Sequence, residues 1–371
     1  MPIIIFYGPL GKIGKTIVGG SETGNLRTIK ILEKAGYQVN KVRKPYHIAR
    51  NFLGEILYLV ILSLNHLFFP FKIISIKGEK IVHLTGYYFN MIYFEWFMIH
   101  TSRLLGCKTI YELRAGGLSD SIETGSKLYK LFLKSTLNHS NKILTQGYDD
   151  FKLLKNISKT PVYYYPNYIN DEMLEENNII ERSKSDTIEI VYFGRLAPSK
   201  NILFIMEVAD ELNKKGVQFK LELIGNIDKN YSKANDINYV DLLKDSITEK
   251  NLTEHIKITP PVNQKELFSI LRKKHFFIFP SSEKREGHSN SLTEAMSCGL
   301  VPIASNSGFN KSVIMNDDFI IMDFNSIEYA DKIWGLWKSG NWAKYSDIMY
   351  NRIKTNYLES IVTKTLLNAY E

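Results

Sequence analysis

Phe276-Phe277-Ile278-Phe279-Pro280-Ser281-Ser282 leads into Glu286-Gly287-His288-Ser289-Asn290-Ser291-Leu292-Thr293-Glu294-Ala295-Met296-Ser297-Cys298-Gly299, and Val301-Pro302-Ile303-Ala304 follows. The first four residues read as a buried strand, which runs into a loop of small residues. A helix follows over Ser289–Cys298, with its first turn at Ser289–Leu292, and Val301–Ala304 starts another strand. Strand, helix and strand in this succession argue for a parallel sheet.

The same alternation continues outward on both sides. Towards the N-terminus, strands are expected at Glu189–Phe193, Phe219–Ile224 and His255–Ile258. Helices are expected at Asn201–Lys215, Tyr239–Glu249 and Asn263–Lys274. Further back lie strands at Ile3–Tyr7, Tyr37–Val39, Ile81–Leu84, Lys108–Leu113 and Lys142–Thr145. Helical spacing occupies Ser21–Gly36, Ile92–Leu105 and Lys127–Leu137. The pattern predicts an α/β chain of two doubly wound, Rossmann-like halves. At 371 residues the length suits two domains. The first covers 1–170, a polar linker follows over 171–187, and the second covers 188–349. The helical pattern of Tyr345–Tyr370 lets 350–371 pack back on the first domain.

Composition narrows the partners. The net charge of +8 is unevenly placed: residues 1–170 hold 22 Lys+Arg against 10 Asp+Glu, and 171–371 hold 25 against 29. A basic half at +12 beside a half at −4 implies that the first half meets something anionic. RNP-like aromatic motifs, zinc-finger patterns and long Lys/Arg runs are missing, so nucleic acid is not the expected partner. Two cysteines, Cys107 and Cys298, are too few for a disulfide framework, which points to a reducing compartment. Met1-Pro2-Ile3-Ile4-Ile5-Phe6 lacks a basic leader and reads as a first strand rather than a signal peptide. The sixteen uncharged residues Ile56 to Phe71 fall short of the roughly 20 needed to span a bilayer, and they carry Asn65, His66 and Pro70. They read as a helix buried on the sheet or dipping into a membrane interface.

Gly8-Pro9-Leu10-Gly11-Lys12-Ile13-Gly14-Lys15-Thr16 has the look of a P-loop but not its spacing. Pro9 stands where the first glycine of that motif is required, and proline has no N–H to give a phosphate. Gly19 and Gly20, ahead of the first long helix, allow a close ligand approach, or make an ordinary turn. In the second half, Val191-Tyr192-Phe193-Gly194-Arg195 presents Arg195, and Lys200 follows five residues on, just before a helix. Two cations at the end of a parallel strand are placed for a diphosphate. The free N–H groups and dipole of the helix starting at Ser289 would receive the same group. Glu286 and Glu294, one in the loop and one about a turn and a half into the helix, suit the hydroxyls at two ends of one elongated ligand.

The Glu286–Glu294 pair around Gly287-His288-Ser289-Asn290, the Phe193-Gly194-Arg195…Lys200 turn and the Pro166-Asn167 step together resemble a retaining nucleotide-sugar glycosyltransferase of family 4. That family has the GT-B fold, two Rossmann-like domains facing across a cleft. The likeness is to its bacterial surface-polysaccharide branch. It is strong over 188–305 and looser over 1–170.

The resemblance implies roles for particular residues. Arg195 and Lys200 would hold the donor diphosphate, and the N–H groups of Ser289, Asn290, Ser291 and Leu292 would complete its cradle, with Gly287 and His288 leading in. Glu294 would bind the ribose and Glu286 the donor sugar. Gly194 and Gly225 would lie along the nucleotide, Gly225 beside the base, and Gly19 and Gly20 would line the acceptor side. The chain departs from the family where many relatives carry a histidine: here the loop reads Leu113-Arg114-Ala115-Gly116-Gly117, and Arg114 is expected to contact the donor sugar or an acceptor phosphate, or else to make a structural salt bridge. The usual Pro-Asn-Gly is Pro166-Asn167-Tyr168, and a later glycine pair is Gly308-Phe309. The absence of an Asp-x-Asp triplet or of clustered ligands leads to no expected metal or cofactor.

The expected activity is retaining transfer of a hexose or N-acetylhexosamine from a nucleoside-diphosphate sugar, UDP-linked, to a polyprenyl-diphosphate-linked or other lipid-linked glycan. The setting would be O-antigen, capsule or exopolysaccharide assembly, at the inner face of the plasma membrane and its anionic surface. A nucleotide-sugar epimerase or a sugar phosphorylase of the same fold is the alternative, and a non-catalytic sugar-nucleotide-binding subunit a third reading.

Overall fold

A computed structural model describes residues 1–11, 20–45, 52–86, 88–177, 186–227, 238–283 and 285–371. The chain divides into two compact units, Met1–Pro166 with Thr363–Glu371, and Asn167–Val362. Each is built on one six-stranded sheet.

In unit 1 the strands are β1 (Ile3–Gly8), β2 (Val39–Arg43), β3 (Lys80–Gly86), β4 (Lys108–Leu113), β5 (Lys142–Thr145) and β6 (Val162–Tyr164). They lie in the order β2-β1-β3-β4-β5-β6, every pair parallel. The central β1 is fully buried at Ile4, Ile5 and Phe6, which explains its unbroken apolar run. Its helices are α1 (Gly20–Lys34), α2 (Phe52–Leu67), α3 (Phe69–Ile74), α4 (Ile92–Leu104), α5 (Leu118–Thr124), α6 (Lys127–His139) and α7 (Tyr148–Ile157).

Unit 2 begins with α8 (Asp171–Asn177), so the first part of the expected linker is helical; 178–185 lie outside the described residues. Its strands are β7 (Ile188–Phe193), β8 (Phe219–Ile224), β9 (Ile256–Thr259), β10 (Phe276–Phe279), β11 (Val301–Ser305) and β12 (Ile320–Ile321). Their order is β12-β11-β10-β7-β8-β9, again all parallel. The helices are α9 (Ile202–Lys214), α10 (Tyr239–Glu249), α11 (Gln264–Leu271), α12 (Asn290–Ser297), α13 (Asn310–Ile314), α14 (Ser326–Lys338), α15 (Asn341–Asn356) and α16 (Glu359–Tyr370).

Three expectations shift. The second strand is Val39–Arg43 rather than Tyr37–Val39, because an edge strand can carry Asn40, Lys41 and Arg43 outward and still bury Val42. The Ile56–Phe71 stretch is helical but is not buried on the sheet: in α2 only Leu62 and His66 are buried. The last helical stretch breaks at Tyr357-Leu358. Residues 350–362 belong with unit 2, since Met349 and Ile353 of α15 are buried there, and only Thr363–Glu371 return to unit 1.

Each sheet has one place where strand order reverses. In unit 1 it lies between β1 and β3, in unit 2 between β7 and β10. Connections leave such a point in opposite directions and open a crevice at the carboxyl ends of the two strands.

Candidate functional site

In unit 2 the residues picked out from sequence converge on that crevice. β7 ends in Gly194, at φ +140°, and β8 ends in Gly225, at φ +154°. A Cβ on Gly225 would fall 1.7 Å from the Gly194 carbonyl oxygen, so the two strand ends touch only because residue 225 is glycine. Arg195 follows on the exposed side of the turn, its carbonyl accepting the Tyr192 hydroxyl at 3.0 Å. Burial, with the Glu286 charge next, holds the Tyr192 hydroxyl far above its ordinary pKa, so it stays a proton donor to that carbonyl.

Lys200 closes the short 3₁₀ turn Pro198–Lys200 that leads into α9. Its ammonium bonds to the Glu286 carboxylate and, at 3.1 Å, to Glu283, and it lies 6.0 Å from the centre of the Phe279 ring. Ser281 donates to the same Glu286 oxygen at 2.8 Å. The end of β7 and the loop after β10 are thus joined across the reversal point by one cation and two carboxylates. Sequence reading found Lys200 and Glu286 but not Glu283 or Ser281, which carry no motif spacing.

The loop itself is braced from both sides. Gly308, at φ +51°, is so close to Glu286 that a Cβ there would meet its carbonyl oxygen at 1.9 Å. Asn167 donates from Nδ2 to the His288 carbonyl at 2.5 Å. The His288 ring is turned inward, its Nε2 2.8 Å from Thr293 Oγ1 and its edge on Tyr357, so His288 offers a ligand no exposed ring. Gly287 and Asn290 are half-buried beside it.

Ser289 caps α12, accepting the Leu292 N–H at 3.4 Å and pairing with the Ser291 hydroxyl at 2.9 Å. Its cap bond and the buried Leu292 side chain give the helix start structural duties as well. Glu294 sits half-buried one turn further along.

In unit 1, Gly20 is the exposed first residue of α1, and Gly19 lies outside the described residues. Arg114, in the loop after β4, is not displayed to solvent. It is 5% exposed, with its Nη2 2.6 Å from Glu112 Oε1 and 3.0 Å from Thr28 Oγ1. Gly24 of α1 makes room for it, since a Cβ there would fall 1.8 Å from its Nη1.

Glu112 also holds His83 Nε2 at 2.7 Å, and His83 Nδ1 meets the Tyr370 hydroxyl at 2.6 Å. Burial would raise the Glu112 carboxyl, but Arg114 and His83 outweigh it and hold it below its ordinary value; burial likewise holds His83 down, as neutral imidazole. His83 therefore donates from Nε2 to the carboxylate and accepts the tyrosine proton at Nδ1. The structure ties Arg114 into a buried chain, Tyr370–His83–Glu112–Arg114–Thr28–Tyr165, closed by a 2.9 Å bond between the last two hydroxyls. Sequence reading missed Glu112 and Tyr370.

Beyond β3, Tyr88 and Phe89 both have positive φ, at 34° and 44°. They are held by the Tyr88 N–H on Glu95 Oε2 at 3.0 Å and the Tyr88 hydroxyl on the Ala115 and Gly116 carbonyls. Strain of this kind persists only where its surroundings enforce it.

Residues 175–355 match the family described as Glycosyl transferases group 1. Among curated proteins the chain is similar to the GDP-mannose:cellobiosyl-diphosphopolyprenol alpha-mannosyltransferase of Xanthomonas campestris, 23% identical over 68% of this chain and 65% of that one. It is also similar to the capsular polysaccharide biosynthesis glycosyltransferase CapH of Staphylococcus aureus, 26% identical over 54% of this chain and 57% of that one. The matches thus span somewhat under two thirds of either relative. Among solved structures, sucrose-phosphate synthase from Thermosynechococcus elongatus superposes with a TM-score of 0.73 at 13% identity, covering 100% of this chain and 98% of that one. Anabaena HepE in complex with UDP does so with a TM-score of 0.66 at 14% identity, covering 99% of each chain. Two parallel six-stranded sheets with flanking helices are the GT-B architecture of these neighbours, and residues 175–355 carry a group 1 glycosyltransferase domain.

Proposed function

We propose that the protein is a retaining, metal-independent glycosyltransferase. It moves a hexose or N-acetylhexosamine from a UDP-sugar to a polyprenyl-diphosphate-linked or other lipid-linked glycan in surface-polysaccharide assembly, as in O-antigen, capsule or exopolysaccharide. It works in the cytoplasm, at the inner face of the plasma membrane. One observation carries the reading: Lys200 and Glu286 meet at the strand-order reversal of unit 2, beside Arg195 and the start of α12.

Breaking a glycosyl–phosphate bond builds positive charge on the sugar and negative charge on the departing diphosphate. Arg195, Lys200 and the N-terminus of α12 supply fixed positive charge where the second of these develops. Glu286, anchored by Ser281 and Gly308, takes sugar hydroxyls, and Glu294 takes the ribose. Gly194 and Gly225 let the nucleotide approach the strand ends. Arg114, held by Glu112, stiffens the acceptor-side loop of unit 1 and turns its outer edge towards the acceptor. The relatives' names, one with a diphosphopolyprenol substrate and one in capsule biosynthesis, support the lipid-linked acceptor. The HepE complex with UDP supports the base.

Melting the protein with UDP, GDP and ADP tests the donor. The matching nucleotide at about 100 times its Kd stabilises by about 2.7 kcal/mol. Stabilisation by GDP alone would replace the base, and none by any of the three would sink the reading. Transfer from the matching sugar nucleotide to a lipid-linked acceptor then reads the activity, and Glu286→Gln lowers it by roughly a hundredfold or more.

A further inference from the structure

Phe52–Ile74 forms 23 residues of nearly continuous helix, with a mean hydropathy of 1.8 over an 18-residue stretch, enough by length and composition to cross a membrane. Glu55 and Lys72 are its only charged residues. Its packing is one-sided. Leu62, His66, Phe69 and Ile73, spaced by four, three and four residues, are buried and make a single stripe facing unit 1. His66 fixes that stripe: Nε2 is 3.1 Å from the Tyr7 hydroxyl, Nδ1 2.6 Å from the Leu62 carbonyl, and Phe69 packs its edge on Tyr7. The remaining sides are apolar and exposed, including Phe52, Leu57, Ile61, Leu64, Phe68 and Phe71. A soluble surface helix would carry charge there.

The geometry points to α2 and α3 as an interfacial helix that seats unit 1 on an anionic bilayer, its free sides in the acyl boundary and its buried stripe on the protein. The charges on either side select this occupant. Residues 40–80 hold seven Lys+Arg against two Glu, with the exposed Lys41 and Arg43 before the helix and the exposed Lys72 and Lys77 at its end. An apolar band bracketed by cations matches acyl chains beneath anionic headgroups. A second copy of the chain would set the same cations against each other. A spanning helix would have to pull Leu62, His66, Phe69 and Ile73 out of the core and break the Tyr7 bond. The inference rests on the proposed function only in that a lipid-linked acceptor gives the enzyme a reason to be at this surface.

Flotation of the full chain with vesicles tests it, comparing phosphatidylethanolamine–phosphatidylglycerol with phosphatidylcholine. The chain should float with the anionic vesicles. Ile61→Glu with Leu64→Glu, both on the exposed side, should lower vesicle affinity by at least about tenfold with an unchanged melting temperature. Lys72→Ala with Lys77→Ala should lower it by about fivefold per cation and flatten its salt dependence. Equal flotation of the glutamate variant and the parent would overturn the inference. So would a lipid-free dimer that the glutamates dissociate, or resistance of the bound parent to alkaline carbonate. Nucleotide-induced stabilisation and sugar turnover, measured without vesicles, read the proposed function separately, so either idea can fail alone.

Discussion

Replacing Gly308 with alanine should separate the geometry of the Glu286 loop from the stability of unit 2. Two things change at that position. Alanine must adopt φ +51°, which costs roughly 1–2 kcal/mol for an L-residue. Its Cβ would also lie 1.9 Å from the Glu286 carbonyl oxygen, where ordinary contact begins at 3.4 Å, so the loop must retreat by about 1.5 Å. The first effect should lower the melting temperature by about 3–6 °C for a unit of this size. The second should be far larger in function, because a 1 Å misplacement near the chemistry costs on the order of a hundredfold in rate. Gly216 is the control: it sits at φ +67° with nothing within 4 Å of its would-be Cβ, so Gly216→Ala carries the backbone penalty without the displacement. The assay pairs thermal melts with donor KM and kcat in sugar transfer. The expected result is a similar melting loss in both variants and a roughly hundredfold loss of kcat/KM in Gly308→Ala alone. A Gly308→Ala enzyme within twofold of the parent, or a Gly216→Ala enzyme equally impaired, would refute the reasoning.

Other expectations follow from the charges. Glu283→Gln frees Lys200 from one of its two carboxylates; Glu283 is partly exposed, so nucleotide affinity, read by calorimetry, should rise by no more than about fivefold. Burial, then the neighbouring Asp149 charge, pushes the Asp150 carboxyl up to about 7. Folded above its unfolded value, it favours the native state at low pH and loses that contribution as pH rises through about 7. Asp150→Asn should therefore match the parent near pH 4 and exceed it near pH 8 by on the order of 4 kcal/mol in urea titrations. His66 behaves oppositely in charge: burial lowers it to about 4, so its native-state contribution is intact above pH 6.5 and disappears on acidification towards pH 4. That loss amounts to about 3 kcal/mol and should be missing from the stability–pH slope of His66→Gln.

The sheets were legible because parallel strands buried on both faces announce themselves, as Phe276–Phe279 and Ile3–Tyr7 do. Two strands were not, β6 because it is short and only half-buried and β12 because two residues carry no period, and β2 was placed too early because its outward residues are cationic. The cations and glutamates of the unit 2 loops were visible as residue types at strand ends. What sequence could not reveal was pairing through space. Glu283 and Ser281 join Lys200 and Glu286 only once β7 and β10 lie side by side. For Arg114 the sequence left a ligand contact and a structural salt bridge both open, and the guanidinium meets Glu112, two residues earlier near the end of β4. Tyr370, which completes that network, lies 287 residues from His83, and nothing local marks it.

The return of Thr363–Glu371 to unit 1 sets an order of events during synthesis. His83 and Glu112 leave the ribosome early, but the hydroxyl that satisfies the second imidazole nitrogen belongs to Tyr370. At about 5–20 residues per second, roughly 10–40 s pass between Pro166 and Tyr370. Throughout that interval the nascent first unit holds a buried polar pair with one partner missing, and unit 2, which runs to Val362, is itself completed only just before Tyr370. The last turn of α16 therefore acts as a final stitch, and a released chain truncated just before Tyr370 should stay open to proteolysis in unit 1 while unit 2 is resistant.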